Sequence, residues 1–180
     1  SAGEPTGALY GVTTMTLKII ENFKPDYIVA AFDLPKPTFR HQAYDGYKAG
    51  RVKAEDALVV QLQSARTLFE AFGIPVLDAE GFEADDVIGT LVEKYKKEKN
   101  LNIIIASGDM DTMQLIDGDK VRVFTLKKGL NDTVLYNEDM VKERFGFGPL
   151  QLVDYKGLRG DASDNIIGVP GIGEKTATTI

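Results

Sequence analysis

The sequence predicts an α/β domain whose central sheet is mostly parallel and covered by helices. Three observations carry this: short apolar runs that end in acidic or glycine residues, longer segments of helical periodicity between them, and 180 residues of 43% hydrophobic content, enough for one full core. Ala8, Leu9, Val12, Met15, Leu17, Ile19, Ile20 and Phe23 follow helical spacing until Pro25-Asp26 breaks it. Tyr27 to Phe32 then reads as a buried strand. Ala57, Leu58, Val60, Leu62, Leu68, Phe69 and Phe72 mark a second helix ended by Gly73, and Ile74 to Leu77 a second strand. Glu83 to Tyr95 reads as a helix with acids in its first turn and Lys94, Lys96 and Lys97 at its end, matching the helix dipole at both termini. Leu101 to Ala106 is a third strand, and Val121 to Thr125 and Thr133 to Tyr136 are two more. Glu138 to Phe145 and Leu150 to Leu158 read as helices, and another starts near Gly173 without a C-cap signal. The expected division is a core over residues 1–158, which includes a basic segment at 36–53, and a C-terminal element over 159–180.

Composition narrows the chemistry. The chain has no cysteine, so disulfides and thiolate zinc sites are excluded, and His41 alone cannot build a zinc site. No apolar run approaches the roughly 20 residues of a membrane span, so we expect a soluble, intracellular protein. The formal net charge of -6 disfavours a polyanion partner only on average, because the distribution decides.

In open α/β sheets ligands bind beyond the carboxyl ends of the strands, and here those positions are acidic. Asp33 follows the first strand, Glu83, Asp85 and Asp86 the second, and Asp109 and Asp111 the third, while Gly160 to Asn165 adds Asp161 and Asp164 in a turn. Eight carboxylates gathered at one edge repel one another unless cations intervene, and oxygen-only ligands suit magnesium or manganese. Two such ions roughly 4 Å apart serve in-line phosphoryl displacement. Taken singly, the acids have plainer readings: Asp85 and Asp86 as helix N-terminal residues, Asp161 and Asp164 as turn and cap residues, Asp33 as a strand end.

Lys36, Arg40, Lys48, Arg51 and Lys53 share the basic segment with one acid, Asp45, and with Phe39, Tyr44 and Tyr47. Cations that neutralise phosphates and rings that stack on unpaired bases suit single-stranded nucleic acid; the plain alternative is a solvated loop. Gly168 to Ala177 is a glycine hairpin leading into a helix, whose glycines admit close backbone approach to phosphate. It is not a Walker A loop, since Glu174 stands where that motif needs lysine.

Phe32-Asp33, Phe39-Arg40-His41, Gly46 to Arg51, Gly81 to Asp86, Ser107 to Asp111, Gly160 to Asn165 and Gly168 to Ala177 together resemble the 5′ nuclease domain of bacterial DNA polymerase I, of the flap-endonuclease-like superfamily. The resemblance implies a PIN-like nuclease fold, two magnesium ions with manganese an alternative, and hydrolysis of DNA at 5′ flaps and 5′ ends during replication and repair. It implies Asp33, Glu83 and Asp85 as ligands of one ion, and Asp86, Asp109, Asp111, Asp161 and Asp164 around the other. The basic segment resembles the helical arch of that family, with Lys48 nearest the scissile phosphate, Arg51 and Arg40 assisting, Tyr47 stacking a base, and Tyr44 also on DNA. Gly171, Gly173 and Lys175 would belong to a truncated helix-hairpin-helix element that grips duplex backbone, with a potassium ion. In the family a strand ending in an aspartate ligand comes ahead of this region, so the chain is expected to bind metal less well and cut more slowly than one extended at its N-terminus. The parent protein is expected to be monomeric, cytoplasmic, nucleoid-associated and joined to polymerase domains.

Two other readings stay open at this level. Asp109-Met110-Asp111-Thr112 matches the nucleophile motif of haloacid-dehalogenase-like phosphatases, although two strands precede it here. A non-catalytic module that binds DNA structures is the third.

Overall fold

The computed structural model describes residues 3, 5–128 and 132–180. Helix α1 (Gly7–Phe23) leads to strand β1 (Ala30–Ala31), short helix α2 (Phe39–Ala43), helix α3 (Asp56–Ala71), strand β2 (Val76–Leu77), helix α4 (Ala84–Tyr95) and strand β3 (Ile103–Ala106). A 3₁₀ turn over Met110–Leu115 precedes strands β4 (Val121–Lys128) and β5 (Asp132–Tyr136), then helix α5 (Glu138–Phe145), helix α6 (Leu152–Arg159) and helix α7 (Glu174–Thr179).

The α/β class is as expected, with two parallel strand pairs and one antiparallel among the described residues. β1 pairs parallel with β2, and β3 parallel with β4, while β4 turns back antiparallel onto β5 with a register shift between Leu126 and Lys128. The strands form two hydrogen-bonded sheets, β1-β2 and β3-β4-β5. The core lies on the second, where Val92 of α4, Ile105, Val121, Val123, Tyr136, Val141 of α5 and Leu152 of α6 close around Met113. These apolar residues come from four helices or turns and three strands, so burial of their surface is what fixes the layers.

β1 is shorter than the run Tyr27 to Phe32 suggests. Tyr27 is 83% exposed and Val29 47%, because only Ala30 and Ala31 lie opposite Val76 and Leu77. Helix α4 follows its sequence signals closely: Glu83 caps it, Asp86 accepts from the Glu83 amide at 2.9 Å, and Lys94 lies in its last turn. The basic segment is not an open loop. Thr38 caps α2, with its amide 3.2 Å from Nδ1 of His41, and the chain then turns sharply through Tyr44 to Arg51.

Candidate metal centre

Each acid reaches the site through local structure that the sequence dictates. Asp33, just past β1, accepts from the Ala84 amide at 2.7 Å, which satisfies an otherwise unpaired donor at the start of α4. That contact ties the end of one strand to the helix that carries Glu83, Asp85 and Asp86. Asp109 caps the 3₁₀ turn by accepting from the Asp111 amide at 2.9 Å, and the turn directs Asp111 toward α6.

Asp161 and Asp164 come from a tight turn closed by paired backbone bonds between Asp161 and Ile166, both 2.8 Å. Two glycines make this turn possible. A Cβ at Gly160 would lie 2.6 Å from the Ile166 carbonyl oxygen, and one at Gly168 would lie 2.4 Å from the Gly160 nitrogen. The two backbones pass too close for any side chain, and both glycines have positive φ.

Asp111, Asp161 and Asp164 present carboxylate oxygens that lie within 4.8 Å of one another. Asp85 joins them electrostatically. Burial pushes its carboxyl up to about 6, and the negative charges of Asp109, Asp33, Asp111 and Glu83 add to the rise. Asp111 is likewise pushed up, first by burial. Burial would also raise Asp161, but hydrogen bonds from Lys156 and Ser163 outweigh it and hold that carboxyl down at about 2. This self-repulsion, expressed through oxygen donors alone, is what a hard divalent cation relieves, so the residues fit magnesium or manganese.

The protein supplies cations of its own. Arg40 makes a two-pronged bond to Asp86 at 2.6 and 2.8 Å, which holds Asp86 below the usual carboxylate range. Lys48 donates to Glu83 at 2.7 Å, and Arg51 to Asp164 at 2.8 Å. Lys156, in the last turn of α6, donates to Asp161 at 2.7 Å and also to Asp111. Sequence reading missed Lys156, since a basic residue in a last turn is explained by the helix dipole alone. Its signal was its position five residues before Asp161.

The turn of the basic segment is docked on the acidic turn. The Lys48 amide donates to the Asp164 carbonyl at 3.0 Å, the Asn165 side chain to the Gly46 carbonyl at 2.8 Å, and the Tyr44 hydroxyl to the Asn165 carbonyl at 3.2 Å. Lys48 and Asn165 both hold left-handed backbone conformations, at φ 56 and 59°, where they face each other's loops. Tyr47 is 7% exposed, its ring edge-on to His41, and its hydroxyl donates to Glu83 at 3.0 Å and Asp164 at 3.2 Å. Burial first, then those two carboxylates, push its phenol up, so it stays a proton donor. In this arrangement the ring is not presented for stacking on a base. Gly171 and Lys175 are exposed, as is Gly173, which caps α7.

Asp111, Asp161 and Asp164 gathered within 4.8 Å, with Asp85 coupled to Asp33, Glu83, Asp109 and Asp111 through their charges and a basic segment paired to several of these acids, accompany a mixed α/β core and define the class: the resolvase-like 5′ nuclease fold, with an acidic site suited to divalent metal. Residues 1–146 match the 5′–3′ exonuclease N-terminal resolvase-like domain, and residues 147–180 the C-terminal SAM fold of the same enzymes. The chain belongs to the 5′–3′ exonuclease family. It is 43% identical over 175 residues to DNA polymerase I of Bacillus subtilis, covering 97% of this chain and 20% of that protein. It is 45% identical over 174 residues to DNA polymerase I of Caldicellulosiruptor bescii, with 96% and 20% covered. The chain therefore spans about a fifth of the length of these relatives. Among solved structures, the 5′-exonuclease of bacteriophage T5, with zinc bound, superposes with a TM-score of 0.78 at 23% identity, over 99% of this chain and 67% of that one. Flap endonuclease-1 of Methanococcus jannaschii superposes with a TM-score of 0.62 at 20% identity, over 99% and 60%. Family membership removes the haloacid-dehalogenase reading.

Proposed function

We propose that this chain hydrolyses DNA phosphodiester bonds at 5′ ends and 5′ single-stranded flaps next to duplex, as a monomeric nuclease unit of a cytoplasmic, nucleoid-associated DNA polymerase I-like protein acting in replication and repair. The observation that carries this reading is the Asp111, Asp161 and Asp164 triad, electrostatically joined through Asp85 to Asp33, Glu83 and Asp109, with Arg51 paired to Asp164, Lys48 to Glu83 and Arg40 to Asp86. A T5 flap endonuclease described in a pseudo-enzyme–product complex with DNA and metal ions lends support, at 25% identity and a TM-score of 0.76 over 97% of this chain and 65% of that one.

Asp33, Glu83 and Asp85 would hold one magnesium or manganese ion, and Asp109, Asp111, Asp161 and Asp164, with Asp86 beside them, the other. Bound there, the ions supply Lewis acidity and a water of lowered pKa. The chain's own residues do the rest. Lys48 and Arg40, now paired with Glu83 and Asp86, are the cations placed to accept a phosphate as partner and to stabilise charge developing on its oxygens. Arg51, anchored on Asp164, supports the backbone of the incoming strand. Tyr47 keeps its proton and orients Glu83 and Asp164 from below rather than reaching the substrate. Gly171, Gly173 and Lys175 would meet duplex backbone, with a potassium ion at the hairpin. No Cβ at Gly171 or Gly173 would touch another atom, so the surface is open there.

Cleavage of a 5′-labelled flap by this chain in magnesium or manganese tests the reading. Release of a short labelled product that chelator abolishes is expected. Flap binding without cleavage would favour a DNA-structure binding module instead, and neither binding nor cleavage would remove both.

A further inference from the structure

Beside the acidic triad lies a cleft of about 430 Å³ between α2 and α6. Its walls are mainly apolar: Phe39 and Tyr44 on the side of the basic segment, Val153 and Ile166 on the other. Phe39 is 44% exposed and Val153 56%, so the cleft they both line presents apolar surface to solvent. The floor is polar and belongs to the metal centre, since Asp161 and Asp164 line the cleft together with Arg40 and Lys156. Arg40 also lies over the Phe39 ring, 4.6 Å from its centre. The cleft is thus aromatic on one face, cationic at one end, and continuous with the candidate ligand carboxylates.

Those properties select an occupant. A phosphodiester held by ions on Asp161 and Asp164 carries a nucleoside on each side, its base several bonds from phosphorus, and the cleft lined by those same carboxylates offers one of the two bases an apolar seat. Its volume lies in the range of pockets that enclose small ligands and suits a single base with its sugar. Aromatic walls without a row of hydrogen-bonding groups suit any base, as a nuclease that does not read sequence requires. We propose that this cleft is a nucleobase subsite, which receives the base of one nucleotide flanking the scissile phosphate and stacks it against Phe39 and Tyr44. The inference rests on the nuclease reading given above and adds a positioning site to it.

Gly157 gives a clean test. It lies in α6 on the lining of the cleft, and a Cβ there would meet nothing within 4 Å. Gly157→Leu therefore fills the cleft without straining the backbone, and replacing glycine inside a helix favours folding. Flap DNA carrying 2-aminopurine at one or the other nucleotide flanking the cleavage position is bound to the protein with calcium in place of magnesium, and intact DNA is verified at the end of each titration. The proposal expects the fluorescence of one of the two labels to be quenched on binding to the unaltered chain. Gly157→Leu should restore that fluorescence and weaken binding about tenfold, the scale of one lost base stack. An abasic nucleotide at the same position should weaken binding by the unaltered chain to the same degree and leave nothing further for Gly157→Leu to remove. Two bright labels, or equal affinities of the two proteins for intact DNA, overturn the subsite while leaving the nuclease reading in place. An equal loss with Gly157→Leu on abasic DNA also overturns it, because the effect would then be steric. Failure of the unaltered chain to bind flap DNA overturns both.

Discussion

Lys156 donates to Asp161 at 2.7 Å, and the same ammonium reaches Asp111, so one lysine of α6 joins two carboxylates that arrive from different loops. It partly neutralises a site that otherwise gathers like charges, and both carboxylates raise its own pKa against the opposing effect of burial. Lys156→Met should lower the melting temperature in chelator at pH 7.5 by a few degrees, the equivalent of about 1 kcal/mol for a partly exposed charged bond in a chain of this size. Millimolar magnesium should erase the difference, since the ions then do the neutralising. A melting temperature equal to that of the unaltered chain in chelator counts against a neutralising role.

The metal-free site should make stability depend on pH through carboxylates shifted in opposite directions, Asp85 and Asp111 upward and Asp86 and Asp161 downward. Asp85, raised to about 6, holds its proton longer in the folded state than in the unfolded state, so its contribution to stability falls as pH rises through 6. Asp161, held at about 2, contributes stability above the ordinary carboxylate range, and this is lost as pH falls toward 2. Urea midpoints measured in chelator across this range should show the first slope reduced in Asp85→Asn, with Asp111 supplying what remains, and that variant should also be more stable than the parent at pH 7.5. An unchanged slope between about pH 4 and 6 would show that Asp85 does not contribute to it.

Glycine positions separate fold from function. Gly168→Ala places a Cβ against backbone atoms at a positive φ, and its cost should be about 3 kcal/mol or more, a loss of several degrees in melting temperature. Gly173→Ala meets open space at a negative φ and should melt within a degree or two of the parent. If both variants melt alike, the close approach of Gly160 and Gly168 does not govern the acidic turn.

Lys48 is predicted to matter for turnover more than for metal binding. Lys48→Ala should reduce kcat for flap cleavage about 10²- to 10³-fold, as removal of a charge-stabilising donor does. Manganese affinity should hold or tighten, because the ammonium that now occupies Glu83 is gone. Loss of metal affinity together with activity would instead place Lys48 among the groups that build the site.

Much of this was legible in the sequence, and the failures have physical causes. Helix α4 could be read from its own capping and charge pattern, and the acids after three strands and in the turn at 160–165 could be located because strand ends and turns are marked by composition. Strand lengths were less legible, since an apolar run such as Tyr27 to Phe32 records hydrophobicity and not the reach of its partner. The antiparallel return of β5 depends on a hairpin register that the residues of either strand alone do not specify. Tyr47 shows the limit most clearly. Among lysines and arginines it reads as a base-stacking ring, yet long-range contact with Glu83 and Asp164 buries it as a hydrogen-bond donor. Lys156 escaped notice for the same reason, because its meaning comes from Asp111, 45 residues away.

The central claim is that these carboxylates form a divalent metal centre, and manganese binding followed by electron paramagnetic resonance tests it most directly. The unaltered chain should bind manganese, and Asp161→Asn and Asp111→Asn should each weaken that binding about tenfold or more, with magnesium-dependent flap cleavage lost in parallel. Identical manganese isotherms for the three proteins, or cleavage that persists in chelator, would contradict the account.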